Sequence, residues 1–318
     1  MSRYLDIEYF GEYLRRYGGT ESERQKRMVG VEKKHESWYF DIIRFFGGGG
    51  VNPRTVKVVC NSTYFPPSDA FILRFNEKIA ATLRAEGRLY DGPPVVQIID
   101  TNWLPESASV LIRKLEYADQ VAGFAMDLPD EMFQQCGGTL RDYVRRMFPA
   151  YGLAHSPLKS GVGVCGMLIV REEDRTGLLK VRRSAKLASL ENSVGPSVAG
   201  SVEYAEDFRD LAEVIERSMV REVEEELGLT REEFSIHPLA YAREMVRGDR
   251  PQLFAAVETK LNSRQIAERI NSLHPSAREF SEFELLELAD GRLPESKIAA
   301  LNFEAKMSYY LLEEWLAG

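Results

Sequence analysis

The residues best suited to chemistry in this chain form one string, Arg221-Glu222-Val223-Glu224-Glu225-Glu226-Leu227-Gly228-Leu229. Glu222, Glu225 and Glu226 stand at i, i+3 and i+4, so on a helix of about 3.6 residues per turn their carboxylates share one face. Carboxylates that close resist ionising together, and a cation placed between them lifts the penalty. Hard oxygen donors suit Mg²⁺ or Mn²⁺. Gly228 is the residue type expected just past a helix C-terminus, so the string predicts a metal-binding helix end. A run of glutamates is also what a solvated helix face looks like; only the wider pattern separates the two readings.

That pattern resembles the second half of the Nudix box, G-x5-E-x7-R-E-U-x-E-E-x-G-U with U aliphatic, at every fixed position from Arg221 to Leu229. Upstream, Val198-Ala199-Gly200-Ser201-Val202-Glu203 resembles the strand-to-loop segment that often reads P-G-G-H-V-E in the family. From Gly200, five residues lead to Glu206, but Arg221 then follows after fourteen residues rather than seven. Counting back seven residues from Arg221 reaches Glu213 instead. Seven residues are thus inserted in the box, as a longer loop or as extra helical turns, and either Glu206 or Glu213 is the outer glutamate. Asp207 and Asp210 are both suitable helix N-caps.

The resemblance implies a Nudix α/β/α sandwich with a mixed sheet, and a divalent-metal-dependent pyrophosphohydrolase that cleaves a nucleoside diphosphate linked to another group. On that reading Glu225 and Glu226 are the principal Mg²⁺ or Mn²⁺ ligands and Glu222 a third. Arg221 holds a box glutamate by a bidentate ion pair, and Glu222, Glu225 and Arg221 make up the catalytic set. Gly200 lets the backbone pass close to the metal. The strand Gly177 to Ser184 alternates apolar and basic residues; Arg183 at its end either faces substrate phosphates or is solvated. Glu244 and Glu282 are the candidates for a general base. Short echoes, among them Arg88-Leu89-Tyr90-Asp91-Gly92-Pro93 and Ala242-Arg243-Glu244, resemble the UDP-glucose/UDP-galactose pyrophosphatase-type subgroup, which implies a UDP-sugar cleaved to UMP and sugar 1-phosphate. The competing class is a catalytically silent Nudix module that binds a nucleotide as a sensor. Such a module tends to lose the acidic cluster, which this chain keeps.

The 318 residues allow one large or two modest domains with ample core. The net charge of −8 argues against a surface that coats nucleic acid. Cys60, Cys136 and Cys165 share no metal-ligand spacing and read as thiols of a reducing compartment. Met1 to Phe10 lacks the apolar core of a signal peptide, and the mostly apolar stretch Gly161 to Val170 is too short to span a bilayer. The expectation is a cytoplasmic protein with a small-molecule partner and neither nucleic-acid nor membrane binding. His35, His155, His237 and His274 are scattered and read as structural or surface residues.

The elements that must position the glutamates fall into three expected parts. Residues 1–50 read as a helical segment, with aromatics suited to packing on the parent domain or on a second subunit as a homodimer. Residues 51–157 read as an α+β extension for substrate recognition: strands over 56–60, 95–99 and 109–117, helices over 68–86 and 139–147. Residues 158–318 read as the Nudix domain. It holds strands over 162–170 and 177–184, the box helix, a hairpin over 234–243 and 253–259, a helix over 263–273, a strand over 282–288 and one closing helix over 295–316.

Overall fold

The computed structural model describes residues 40–47, 49–61, 69–148, 157–173, 175–274 and 278–317. Residues 1–39 of the expected helical segment, His35 among them, and His155 lie outside them. In chain order the larger elements are strands β1 (Phe40–Phe45) and β2 (Lys57–Cys60), helix α1 (Ala70–Ala85), strands β3 (Val95–Asn102) and β4 (Ser109–Leu115), and helix α2 (Leu140–Met147). Strands β5 (Gly163–Arg171), β6 (Thr176–Arg183), β7 (Val194–Gly195) and β8 (Val198–Ser201) follow, then helix α3 (Leu211–Leu227), strands β9 (Phe234–Glu244) and β10 (Arg250–Thr259), and helix α4 (Ser263–Ser272). Strand β11 (Phe280–Glu287) and helices α5 (Glu295–Ala299) and α6 (Phe303–Ala317) complete the described chain.

The main sheet runs β1-β9-β10-β5-β6-β11, with β8 paired to β5 and β7 to β6. It is mixed: β10 and β5 are parallel, while β9, β6 and β8 run antiparallel to their neighbours. Strand β5 is buried along both faces from Gly163 to Val170, which explains its near-continuous apolar composition. Its alternate residues feed two cores. Val164, Leu168 and Val170 pack with Val214, Ile215, Met219 and Val223 of α3, whereas Cys165, Met167 and Ile169 pack with Met307, Leu311 and Leu312 of α6. The result is a mixed α/β fold in which the sheet separates a helix layer on each face. Both cores also take residues from 51–157: Ile72, Phe75 and Ile79 of α1 join the α6 side, and Val96, Ile98 and Ile112 join the α3 side. Full burial of each such aliphatic side chain stabilises the fold by about 1.5–3 kcal/mol; a charge at Met219 or Ile79 would remove that contribution and strand itself in the core.

Local chemistry sets the ends of the helices. Asp69 accepts from the N–H groups of Phe71 and Ile72 and starts α1. Asp210, not Asp207, caps α3 by accepting from Glu213 N at 2.9 Å. Helix α3 is therefore 17 residues long, and residues 202–210, between Gly200 and its start, lie outside any helix. Gly228 closes it at φ 70°, a conformation that costs glycine nothing.

Two expectations need correction. The apolar patch assigned to a helical segment is strand β1 over residues 40–45, paired with β9 at the sheet edge. The closing helix is two helices, because Asn302 interrupts it: its N–H donates to Val194 O (2.7 Å) and its Oδ1 accepts from Ala305 N (2.9 Å), capping α6. Among the described residues no helix is long and apolar enough to cross a membrane.

Candidate functional site

Strand β8 lies on the C-terminal half of α3, and Gly200 is the point of contact. A Cβ on Gly200 would sit 1.7 Å from Glu222 Oε1, so only glycine admits the carboxylate there. The strand is fixed from its other end by Ser197, whose Oγ accepts from Leu168 N at 2.6 Å and donates to Leu179 O. Glu222 and Glu226 are buried, 5% and 4% exposed, and Ala199 N donates to Glu226 Oε2 at 3.3 Å. Glu225 stays at the rim with 60% of its side chain exposed. At about 100° per residue, Glu226 stands about 40° round the helix from Glu222 and Glu225 about 60° the other way, so a face turned inward between Glu222 and Glu226 leaves Glu225 outside.

Arg221 gathers the cluster. Its Nη2 donates to Ser201 O (2.8 Å) and to Glu222 Oε1 (2.5 Å), its Nη1 donates to Glu225 Oε2 (3.1 Å), and Glu203 lies 3.4 Å from Nη1. Burial pushes the Glu222 carboxyl up to about 7, with Arg221 opposing and the charges of Glu279 and Glu225 adding to the rise. Burial and then the charges of Glu222 and Glu279 lift Glu226 well above the usual carboxylate range, against the pull of Arg183.

The carboxylates open on a cavity of about 620 Å³ lined by both halves of the chain. Arg183, Ala188, Gly200, Glu203, Glu279 and Arg250 belong to one half; Arg88, Tyr90, Pro93, Tyr117 and Phe124 belong to the other. A second cavity of about 630 Å³ lies away from the carboxylates, between Phe46, Glu216, His237 and Trp315. Arg183, Gly200, Arg221, Glu222, Glu225 and Glu226, all singled out by the sequence, line the first cavity together.

The two candidates for the outer box glutamate do not. Glu213 precedes Glu222 by nine residues, about two and a half turns, which turns it to the opposite side of α3; there it pairs with Arg209 (3.0 Å) and Arg217 (2.6 Å). Glu206 lies in the exposed turn ahead of the helix. Glu203 is the residue that approaches Arg221 instead. Neither candidate base lines the cavity. Glu244 is fully buried and its carboxylate is taken by Arg247, which also reaches Glu304 on α6. Glu282 is 71% exposed and pairs with Arg182, its cross-strand neighbour, on the face of β6 opposite Arg183. Glu279, by contrast, lines the cavity, and its charge adds to the rise of both Glu222 and Glu226. Nothing in local spacing marks Glu279, Arg250 or the Arg247–Glu304 pair. A basic or acidic residue at the end of a strand bounding the box was the only available signal.

Among the described residues no three acidic, histidine or cysteine side chains are close enough as placed to hold a metal ion. The donor set nevertheless fits a hard divalent cation in kind. All its donors are carboxylate oxygens, the carboxylates of Glu222 and Glu226 are buried with raised proton affinity, and among the described residues Arg221 is the cation bonded to the cluster. The described histidines, His237 and His274, do not line this cavity, nor do the cysteines.

No protein-family model matches the chain, and no curated protein matches it. Solved structures with a similar course over about half of the chain include an Ap4A hydrolase from C. elegans, 19% identical over 50% of this chain and 98% of that one, with TM-score 0.32. A mutT/nudix family protein from Listeria innocua is 16% identical over 49% and 92%, with TM-score 0.33. A protein from Deinococcus radiodurans is 20% identical over 46% and 80%, with TM-score 0.32. TM-scores this low carry no weight for activity, substrate or assembly.

Proposed function

We propose that the chain is a Nudix-type pyrophosphohydrolase that cleaves a nucleoside diphosphate linked to another moiety, using Mg²⁺ or Mn²⁺. The observation that carries this reading is the pair of buried carboxylates, Glu222 against Gly200 and Glu226 bonded by Ala199 N, on a cavity that Arg88, Arg183 and Arg250 also line. Glu222, Glu225 and Glu226 would hold the cation, which when bound supplies charge neutralisation at the diphosphate and activation of a water. Arg221 is a positioning residue: its bonds to Ser201 O and Glu222 fix the carboxylate relative to β8. Arg183 faces the diphosphate as an anion-binding group. Glu279 forms no ion pair among the described residues and accepts the proton of the attacking water.

Residues 51–157 serve as the recognition region, with Tyr90, Pro93, Tyr117 and Phe124 as a wall against the part of the substrate beyond the diphosphate. Within this class we favour a UDP-sugar, cleaved to UMP and sugar 1-phosphate, on the strength of Arg88 to Pro93, most of which lines the cavity. The test is a screen of nucleoside diphosphate sugars, dinucleotides and nucleoside triphosphates with Mg²⁺ and Mn²⁺, read as release of a nucleoside monophosphate. Turnover of a diphosphate-linked compound is the expected result. Tight binding of one compound with no turnover of any would overturn the enzyme in favour of a silent sensor.

A further inference from the structure

Arg250 is a buried cation of the cavity that forms no ion pair among the described residues. It opens β10 and is 6% exposed. Its Nε donates to Gly161 O (3.0 Å), its Nη2 donates to Ser201 Oγ (3.2 Å), and its guanidinium lies 5.8 Å from the centre of the Phe124 ring. The carboxylates whose charge it feels, Glu244 and Glu304, are both engaged by Arg247. Burial, reinforced by the charge of Arg247, lowers its pKa to about 10, yet it remains a cation at neutral pH. A guanidinium offers five N–H donors in a planar fork, and the chain uses two groups of that fork, leaving Nη1 unengaged. Holding such a charge in a buried site without a counter-ion is costly, and an arriving anion relieves that cost.

The position of Arg250 relative to Arg183 suggests which anion. Strand β5 separates β10 from β6 in the sheet, so Arg250 and Arg183 enter the cavity from opposite sides of β5. Arg183 is the cation whose charge acts on Glu226, and its Nε is buried with no partner. Arg250 instead bonds Ser201, the residue after Gly200, whose carbonyl holds Arg221. One guanidinium thus stands beside each edge of the carboxylate cluster.

We propose that Arg250 is a second anion-binding residue of this cavity, bracketing the diphosphate with Arg183 so that each arginine takes one of the two phosphoryl groups. This rests on the pyrophosphohydrolase reading for the identity of the anion but not on turnover. The test is therefore binding, measured by calorimetry with inorganic pyrophosphate and with inorganic phosphate in the presence of Mg²⁺. Losing a charged hydrogen-bonding partner should weaken pyrophosphate binding about 10- to 100-fold in Arg250→Gln. Phosphate binding should change by less than threefold, so the ratio of the two affinities collapses. Arg250→Lys keeps the charge, loses the fork and should fall between, and it carries the test if the glutamine variant does not fold. A role confined to bonding Gly161 and Ser201 predicts equal weakening of both anions, and that outcome overturns the proposal. So does an unchanged pyrophosphate affinity in folded variants, or no pyrophosphate binding by the wild-type chain. Pyrophosphate binding that depends on Arg250 in a chain that turns over no nucleotide would sustain the proposal while removing the hydrolase.

Discussion

Gly200→Ala isolates the contact on which the site is built. The new Cβ would lie 1.7 Å from Glu222 Oε1 and 2.2 Å from its Cδ. To regain an ordinary contact of 3.4 Å, the oxygen must retreat by 1.7 Å, which breaks its 2.5 Å bond from Arg221. Misplacing a reacting group by about 1 Å costs about 100-fold in rate, so kcat should fall at least 100-fold on any nucleotide the wild-type chain cleaves. The obstacle is a side-chain tip rather than backbone, so the stability cost should stay near the low end of overpacking, about 1 kcal/mol. Chemical denaturation measures that cost, and repeating it in a Glu222→Ala background removes the obstacle. The penalty of Gly200→Ala should then vanish, giving a coupling of about 1 kcal/mol between the two positions. If the alanine variant keeps turnover within twofold, or costs the same stability with and without Glu222, the packing of Gly200 on Glu222 does not organise this site.

Four further outcomes follow from other parts of the molecule. Glu279→Gln should lower kcat about 100- to 10,000-fold with an unchanged melting temperature, since no ion pair among the described residues holds Glu279; retained activity would remove it as the proton acceptor. Mg²⁺ at about 100 times its Kd should stabilise the wild-type chain by about 2.7 kcal/mol, and Glu225→Gln should fold normally yet lose much of that gain and most turnover. Arg247→Ala strands the buried carboxylates of Glu244 and Glu304 and should cost about 3–5 kcal/mol in denaturant titrations. Bonds from Ser263 N and Arg175 to the carboxylate of Glu172, led by Ser263, depress its pKa to about 2 from the ordinary 4.5. A depressed carboxylate stabilises the fold above its unfolded pKa and loses that contribution as pH falls toward its folded pKa. The protection of amides at the start of α4, taken relative to their intrinsic exchange rates, should therefore fall between pH 4.5 and 2, and Glu172→Gln should flatten that pH dependence.

Local rules made much of the chain legible from sequence. The i, i+3, i+4 spacing put the carboxylates on one side of a helix, and the type of Gly228 marked where that helix ends, because the αL conformation is decided within a few residues, whereas its start stayed open between Asp207 and Asp210 until the structure showed Asp210 as the cap. Alternation and apolar runs located β5, β6, β9 and β10 for the same reason. Asn302 broke the terminal helix where apolar periodicity alone ran on, since its bond to Val194 joins residues far apart in the chain.

The remainder depended on which distant segments meet, and this the register of the sheet decides. The pairing of Gly163 with Ser201 and of Gln252 with Gly163 brings Arg250 to Ser201 across 49 positions of sequence. Helix α6 delivers Glu304 to Arg247 across 57. Counting along the box offered Glu206 or Glu213 as the outer glutamate, but the nine-residue offset from Glu222 turns Glu213 to the far side of α3, and Glu203, beside β8, is the further carboxylate that approaches Arg221. Sequence determined the identity of the carboxylate cluster, because one helix carries it. The cations and the remaining carboxylate that complete the cavity arrive on other strands and loops, and only the tertiary structure decided which those are.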